Sequence, residues 1–306
     1  MADSVTVRVP ATTANLGPGF DCLGLALDLW DEVTFTQHVA QAPSPAGSSE
    51  DHQYQELVRL AAERFYAETG TPQRQLQITC KRAIPLGRGL GSSAAAIIAG
   101  VLGANALAGT PLGPEAVGQL AANIEGHPDN STPCLFGGFQ VCVLAERTLL
   151  NQTEHRLLHQ AVPFPENLGC VLFVPDFALP THETRKLLPT ELSRADVVYQ
   201  TSRAALLVAA LTTGNLAHLH EATQDRLHQP ARGQVFTGMW ALFEAAMSAG
   251  AVCVYLSGGG PTVLAMSTGD GTRLERVLGE AARNHGIAGR TLATSPTARG
   301  AHLVTS

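Results

Sequence analysis

Three glycines within five residues, Gly87, Gly89 and Gly91, run directly into Ser92-Ser93-Ala94-Ala95-Ala96, and no other stretch constrains this chain as much. Glycine reaches positive-φ backbone without steric cost, so the run turns tightly and brings main chain close to a ligand. The small Ser/Ala residues behind it predict a helix whose first N–H groups have no partner inside the helix. Together with the positive end of the helix dipole, those amides make an anion site, and phosphate is the obvious anion. A strand-like run over residues 76–80 delivers the chain to this loop, and Pro85 opens it. The spacing fits neither a Walker A loop, which needs Lys after its last glycine, nor a dinucleotide fingerprint, which needs glycine where Ser92 stands.

A chain of 306 residues has room for two domains or one large one. With 20 basic against 26 acidic side chains its net charge is −6, so no general field draws nucleic acid or an anionic membrane. An anionic ligand must be held by local geometry. The start Met1-Ala2-Asp3-Ser4 has no basic stretch ahead of an apolar one, and no apolar run approaches the ~20 residues of a membrane helix, so a cytoplasmic protein is expected. The six cysteines form no C-x-x-C pair and read as reduced core thiols. His155-x-x-x-His159 and His218-x-His220 lack the glutamate of a zinc-protease helix and read as polar-face residues.

Taken in order, residues 5–9 alternate as a first strand, and residues 10–21 read as a long loop with a spare amide and carboxylate, Asn15 and Asp21. Strands follow over 22–37, interrupted at Asp28, then an exposed loop over 40–51 and a helix over 54–69. Helices are predicted over 92–108 and 114–125. The second ends on Glu125-Gly126-His127-Pro128-Asp129-Asn130, four polar or ionisable side chains within six residues of a Gly/Pro-constrained segment. A strand over 139–144 precedes a mixed-polarity stretch with Pro163 and Pro165, which carries the boundary between domains 1–155 and 156–306. Beyond it come a strand over 170–174 and helices over 181–188, 193–211 and 216–227, the last broken at Pro230. Another helix spans 237–249. Strands over 252–256 and 263–266 flank Ser257-Gly258-Gly259-Gly260-Pro261-Thr262, a glycine run that admits another backbone. A helix over 272–284 and a polar tail with a possible strand close the chain.

Four stretches together carry a resemblance: Ala14-Asn15-Leu16-Gly17-Pro18-Gly19-Phe20-Asp21, the glycine loop from Pro85 to Ala96, Glu125 to Asn130 with Gly137-Gly138, and Leu256 to Thr262. In this order, from about residue 5 to about 266, they resemble the GHMP kinases, and within that family the homoserine kinases most, with Thr181 through Arg185 to Pro189 as a further hallmark. The resemblance implies an α+β fold: an amino-terminal ATP-binding domain like ribosomal protein S5 domain 2, a ferredoxin-like carboxy-terminal domain, and the active site between them. It implies phosphorylation of the L-homoserine hydroxyl by ATP with Mg²⁺, a step towards threonine, in a homodimer.

Site residues follow from the same resemblance. Pro85, Leu86, Gly87, Arg88, Gly89, Leu90, Gly91, Ser92, Ser93 and Ala94 would cradle the nucleotide, with Lys81 or Arg82 adding a cation, and Ser92 and Glu125 would hold Mg²⁺. Arg185 and Arg232 are candidates for the substrate carboxylate, with Arg226 as a substitute, and Asp21 and Asp129 for its ammonium. Asn15, His127, Thr181 and the Gly258 backbone would complete the pocket. Asn130, with Arg185 beside it, would orient the attacking hydroxyl, whose proton leaves late towards the γ-phosphate. A mevalonate-type or sugar-alcohol kinase is the alternative, one whose substrate brings no ammonium. A nucleotide-binding sensor without turnover is another.

Overall fold

The computed structural model describes residues 4–37, 48–73, 75–149 and 152–304; the side chains of residues 147–149, 152–154 and 181 lie outside that description. Strand β1 (Ser4–Asn15) pairs antiparallel with β2 (Gly19–Gln37) from Ser4 opposite Thr36 to Asn15 opposite Gly19. The long loop expected over 10–21 is therefore strand as far as Asn15. Its small residues, buried from Val9 to Leu16, read as loop chemistry but serve to let helices lie close on the sheet. The register slips between Pro10 and Ala11, where Asp28 and Leu29 bulge from β2, at the point where the sequence breaks its alternation.

Helix α1 (Ser49–Thr69) starts earlier than its apolar spacing suggests, because Ser48 and Asp51 form a capping box, each side chain bonding the other's main-chain N–H. Residues 40–47 of the expected loop lie outside the described residues. Strand β3 (Leu76–Lys81) pairs with the later half of β2 and leads into the glycine loop. Helix α2 (Ser92–Leu107), apolar all round, is buried between α1 and the sheet. After α3 (Pro114–Glu125) comes α4 (Pro128–Phe136), a helix where the sequence suggests only a constrained turn; Pro128 in its first turn is pre-set for helical φ.

Strands β4 (Phe139–Leu149) and β5 (Gln152–Val162) form a hairpin on the far edge of this sheet. The boundary expected at 155/156 thus falls inside a strand: one face of the hairpin is wet, which mixes its polarity, and the chain leaves the first sheet only at Pro163-Phe164-Pro165.

The second layer begins with β6 (Gly169–Pro175), then α5 (Thr181–Lys186), α6 (Arg194–Thr213), α7 (Leu219–Ala222), α8 (Gln229–Gly233) and α9 (Met239–Ser248). Pro230 opens α8 rather than ending a helix. Strands β7 (Cys253–Leu256) and β8 (Val263–Ser267), helix α10 (Thr272–Asn284) and β9 (Gly289–Thr294) complete an antiparallel sheet ordered β7-β8-β6-β9, the ferredoxin-like arrangement. Period two sends Cys170, Leu172 and Tyr255 to a core shared with the first domain, and Val171, Phe173 and Val254 against α9 and α10. The tail returns as β10 (His302–Leu303) beside β1, giving a first sheet ordered β10-β1-β2-β4-β5 with β3 also on β2. Among the described residues no helix is long and apolar enough to cross a membrane, and all six cysteines are free.

Candidate active site

A cleft of about 590 Å³ opens where the two sheets' loops meet, a size suited to a small ligand. The glycine loop forms one wall. Gly87, Gly89 and Gly91 have φ of 66°, 77° and 69°, and a side chain at Gly91 would strike the Thr12 hydroxyl, so the sequence's glycines are dictated by backbone and by contact. Four successive carbonyls of the loop are drawn outward. Gly87 O accepts from Leu179 N, Arg88 O from Thr262 N, Gly89 O from the Ser257 hydroxyl, and Leu90 O from Thr12 N. The N–H groups from Arg88 to Ala94 have no partner among the described residues. Main-chain amides seldom go unpaired away from water, and a half-buried row of them ending on the N-terminus of α2 is a site for a polyanion.

Glu125, at the end of α3, accepts from the Ser93 hydroxyl at 3.0 Å. Burial pushes its carboxyl above the usual range, against the pull of His127 and the Ser93 bond. The hydroxyl facing Glu125 is thus that of Ser93, while Ser92, one residue round the helix, accepts from Gly87 N at 3.4 Å; both serines line the cleft. Among the described residues no group of three or more Asp, Glu, His or Cys is built to cage a metal. One half-buried carboxylate and adjacent hydroxyls suit Mg²⁺, which keeps waters and phosphate oxygens as its other ligands.

His127 and Asp129 flank the first turn of α4. His127 Nδ1 donates to Asp129 Oδ1 at 2.9 Å, and although burial lowers the imidazole pKa, the Asp129 bond and charge and the Glu125 charge raise it further, for a net rise. Asn130 sits beneath Gly91: its Oδ1 accepts from the Thr12 hydroxyl at 2.8 Å and its amide leans on Asp129 Oδ1 at 3.4 Å.

The opposite wall brings the domains together. Asp21 takes both N–H forks of Arg185, at 2.8 and 2.6 Å, and this bond together with the carboxylate's charge holds the guanidinium charged more firmly than usual. Asp21 has φ 59° and Asn15 φ 70°, and Asn15 braces the turn by accepting from Asp21 N and donating to Gly258 O, each at 3.0 Å. Arg232 is 1% exposed; burial and the Arg185 charge pull its pKa down to about 10. The Phe20 ring lies 5.1 and 5.7 Å from the two guanidinium centres.

Of the residues singled out from sequence, Asn15, Asp21, Leu86, Gly87, Gly89, Gly91, Ser92, Ser93, Glu125, His127, Asp129, Asn130, Arg185, Arg232 and Gly258 line this cleft. Pro85, Leu90 and Ala94 stand behind it in the loop and helix. Arg88 turns away, donating to the carbonyls of Leu86, Pro175 and Asp176, so its side chain ties the loop to the second sheet. Lys81 pairs with Glu32 and Arg82 with Asp51, so neither offers its cation to the cleft; Arg226 pairs with Asp196. Thr181 opens α5, and its side chain lies outside the described residues. Sequence reasoning quoted Phe20 within its motif without giving it a role, and missed Thr12 and the lining residues Gln53, Glu56, Leu57, Leu179, Pro180 and His182. Gln53 and Glu56 read as the solvated face of an amphipathic helix, and only tertiary packing shows that this face borders the cleft.

Comparison with known proteins agrees with this geometry. The GHMP kinases N terminal domain matches residues 56–138, and the GHMP kinases C terminal domain matches residues 207–287. The homoserine kinase of Microchaete diplosiphon is 43% identical over 277 residues, 87% of this chain and 86% of the relative. That of Moorella thermoacetica is 36% identical over 301 residues, 97% of this chain and 99% of the relative. The crystal structure of homoserine kinase from Cytophaga hutchinsonii superposes with a TM-score of 0.82 at 26% identity, covering 99% of this chain and 98% of that one. With a row of loop amides that have no partner among the described residues, a two-domain cleft and full-length likeness pointing the same way, the chain belongs to the homoserine kinases of the GHMP kinase family.

Proposed function

We propose that this chain transfers the γ-phosphoryl group of ATP to the side-chain hydroxyl of L-homoserine, giving ADP and O-phospho-L-homoserine. The observation that carries the reading is the row of partnerless amides from Arg88 to Ala94 on the same cleft as the Asp21–Arg185 pair and Arg232. The amides take the phosphate chain. The apolar recess at Leu57, Leu86 and Leu179 suits the base. Glu125, with the Ser93 and Ser92 hydroxyls near, would hold Mg²⁺, which when bound would neutralise phosphate charge. Homoserine is a zwitterion, and Arg232 and Arg185 match its carboxylate as Asp21 matches its ammonium.

Asp129 is engaged by His127 and Asn130, so Asn130 orients the hydroxyl and the proton leaves late, to the transferred phosphoryl group. Loose phosphoryl transfer depends on alignment and charge more than on a base. Mevalonate would bring a carboxylate but no ammonium, and a sugar alcohol neither, so Asp21 would have no cation to meet. A coupled ADP-release assay with homoserine, mevalonate and a sugar alcohol, with and without Mg²⁺, tests the reading. Turnover of homoserine alone, dependent on Mg²⁺, is expected, and preference for an uncharged alcohol or ATP binding with no transfer would overturn it. A homodimer in the cytoplasm is the setting that family likeness supports, and sedimentation analysis of the purified chain checks the dimer.

A further inference from the structure

We propose that His228, which no sequence motif marks, is a positioning residue that aims Arg232 at the substrate. The inference rests on the reading above. His228 is wholly buried between the two domains. Its Nε2 lies 2.7 Å from the carbonyl oxygen of Gly17, in the turn between β1 and β2, and its Nδ1 lies 2.8 Å from Arg232 Nη1. A carbonyl only accepts and a guanidinium only donates, so the ring carries its proton on Nε2 and accepts at Nδ1. One neutral tautomer satisfies both partners. An imidazolium would set an N–H against the Arg232 fork.

The surroundings hold that state. Burial lowers the imidazole pKa and Arg232 adds to this, while Asp225 and Asp21 oppose it; those are the charged groups facing the ring, from its own segment, α8 and β2. Asp225 is occupied elsewhere, its carboxylate accepting from Leu227, His228 and Gln229 main-chain N–H groups and from Gln200. The Phe20 ring, 5.6 Å away and tilted, closes the remaining side. Arg232 Nη1 is thus fixed by two acceptors, His228 Nδ1 and Gly258 O at 2.9 Å, while its Nε has no partner among the described residues. Because Gly17 lies in the turn that leads into Phe20 and Asp21 at the start of β2, His228 also sets Arg232 in register with the segment that presents Asp21.

Three substitutions separate the two bonds. His228→Asn keeps an acceptor where Nδ1 stands, His228→Gln keeps a donor towards Gly17 but no acceptor for Arg232, and His228→Phe keeps neither. The homoserine KM is expected to rise about tenfold in the Gln and Phe variants, roughly the worth of a hydrogen bond to a charged group, and to stay near wild type in the Asn variant. The ATP KM and kcat should hold in all three. Nitrogen-15 NMR of the wild-type imidazole, without substrate, should report the Nε2–H tautomer unchanged as pH falls from 8 to about 6, below the ordinary histidine pKa of about 6.5. A Phe variant with wild-type homoserine KM, an equal loss of ATP and homoserine binding in all three, or a ring that protonates at pH 6.5 would overturn the proposal. Failure of the wild-type chain to use homoserine would strike the functional reading instead, with the NMR result standing apart.

Discussion

Asn130 shows how little of a residue's role lies in its own side chain. Its carbonyl oxygen is held by Thr12, 118 positions away, which leaves the amide end in the cleft. Asn130→Ala should lower kcat about a hundredfold with the ATP KM little changed, since misplacing a reacting group by an ångström costs on that order. Steady-state kinetics check this, and nearly full kcat in the variant ends the assigned role. Glu125 makes the complementary case. Burial holds its folded pKa above the unfolded value, so the fold binds this proton more tightly than the open chain does. Its contribution is therefore full below the unfolded pKa and is lost as pH rises through the folded one, after which the buried charge is a cost. Glu125→Gln should abolish Mg²⁺-dependent turnover yet raise Tm at pH 8, with the difference closing towards pH 4; thermal melts across that range measure it. Asn15, Asp21, His127, Asp129 and Asn130 were legible in the sequence as surplus polar groups in constrained segments. Thr12 was not, since a threonine in a strand carries no local sign of use.

At the scale of elements, the glycine loop and α2 act as one device. The loop's carbonyls are taken by β1, by the segment ahead of α5 and by the Ser257–Thr262 turn, and only that outward pull leaves its amides free. Gly91→Ala places a methyl group on the Thr12 hydroxyl at a φ of 69°, so ATP binding should fall at least tenfold and Tm should drop. Calorimetric titration with ATP and a melt report the two, and unchanged binding would show that the backbone there tolerates movement. Helices α2 and α10 appear where the sequence predicts them, over 92–108 and 272–284. Strand β5 and helix α4 do not: one wet face blurs alternation in the first, and two prolines with short polar residues hide the second.

Across the whole molecule the two sheets are joined at the site itself. Arg88, 14% exposed at its side chain, carries main-chain bonds from the loop to Pro175 and Asp176, while Asn15 and Arg232 converge on Gly258 O. Arg88→Ala should lower Tm and raise the KM of both substrates by several-fold while leaving kcat close to wild type, because it loosens the docking of the halves rather than the chemistry. Equal KM values in the variant would mean that the glycine run at Gly258–Gly260 closes the seam alone. The sequence by itself determined the glycine loop, the polar residues that crowd the cleft and the family likeness, because backbone-dictated glycines and crowded ionisable groups are local, chemical constraints written residue by residue. Tertiary structure alone decided which serine meets Glu125, that Arg88 and Arg82 turn away, that Asp21 and Arg185 hold each other, and that His228 stands behind Arg232. Those outcomes depend on side-chain direction and on the docking of segments distant in the chain, 32 residues apart for Ser93 and Glu125 and 164 for Asp21 and Arg185, and neither spacing nor composition encodes them at any single position.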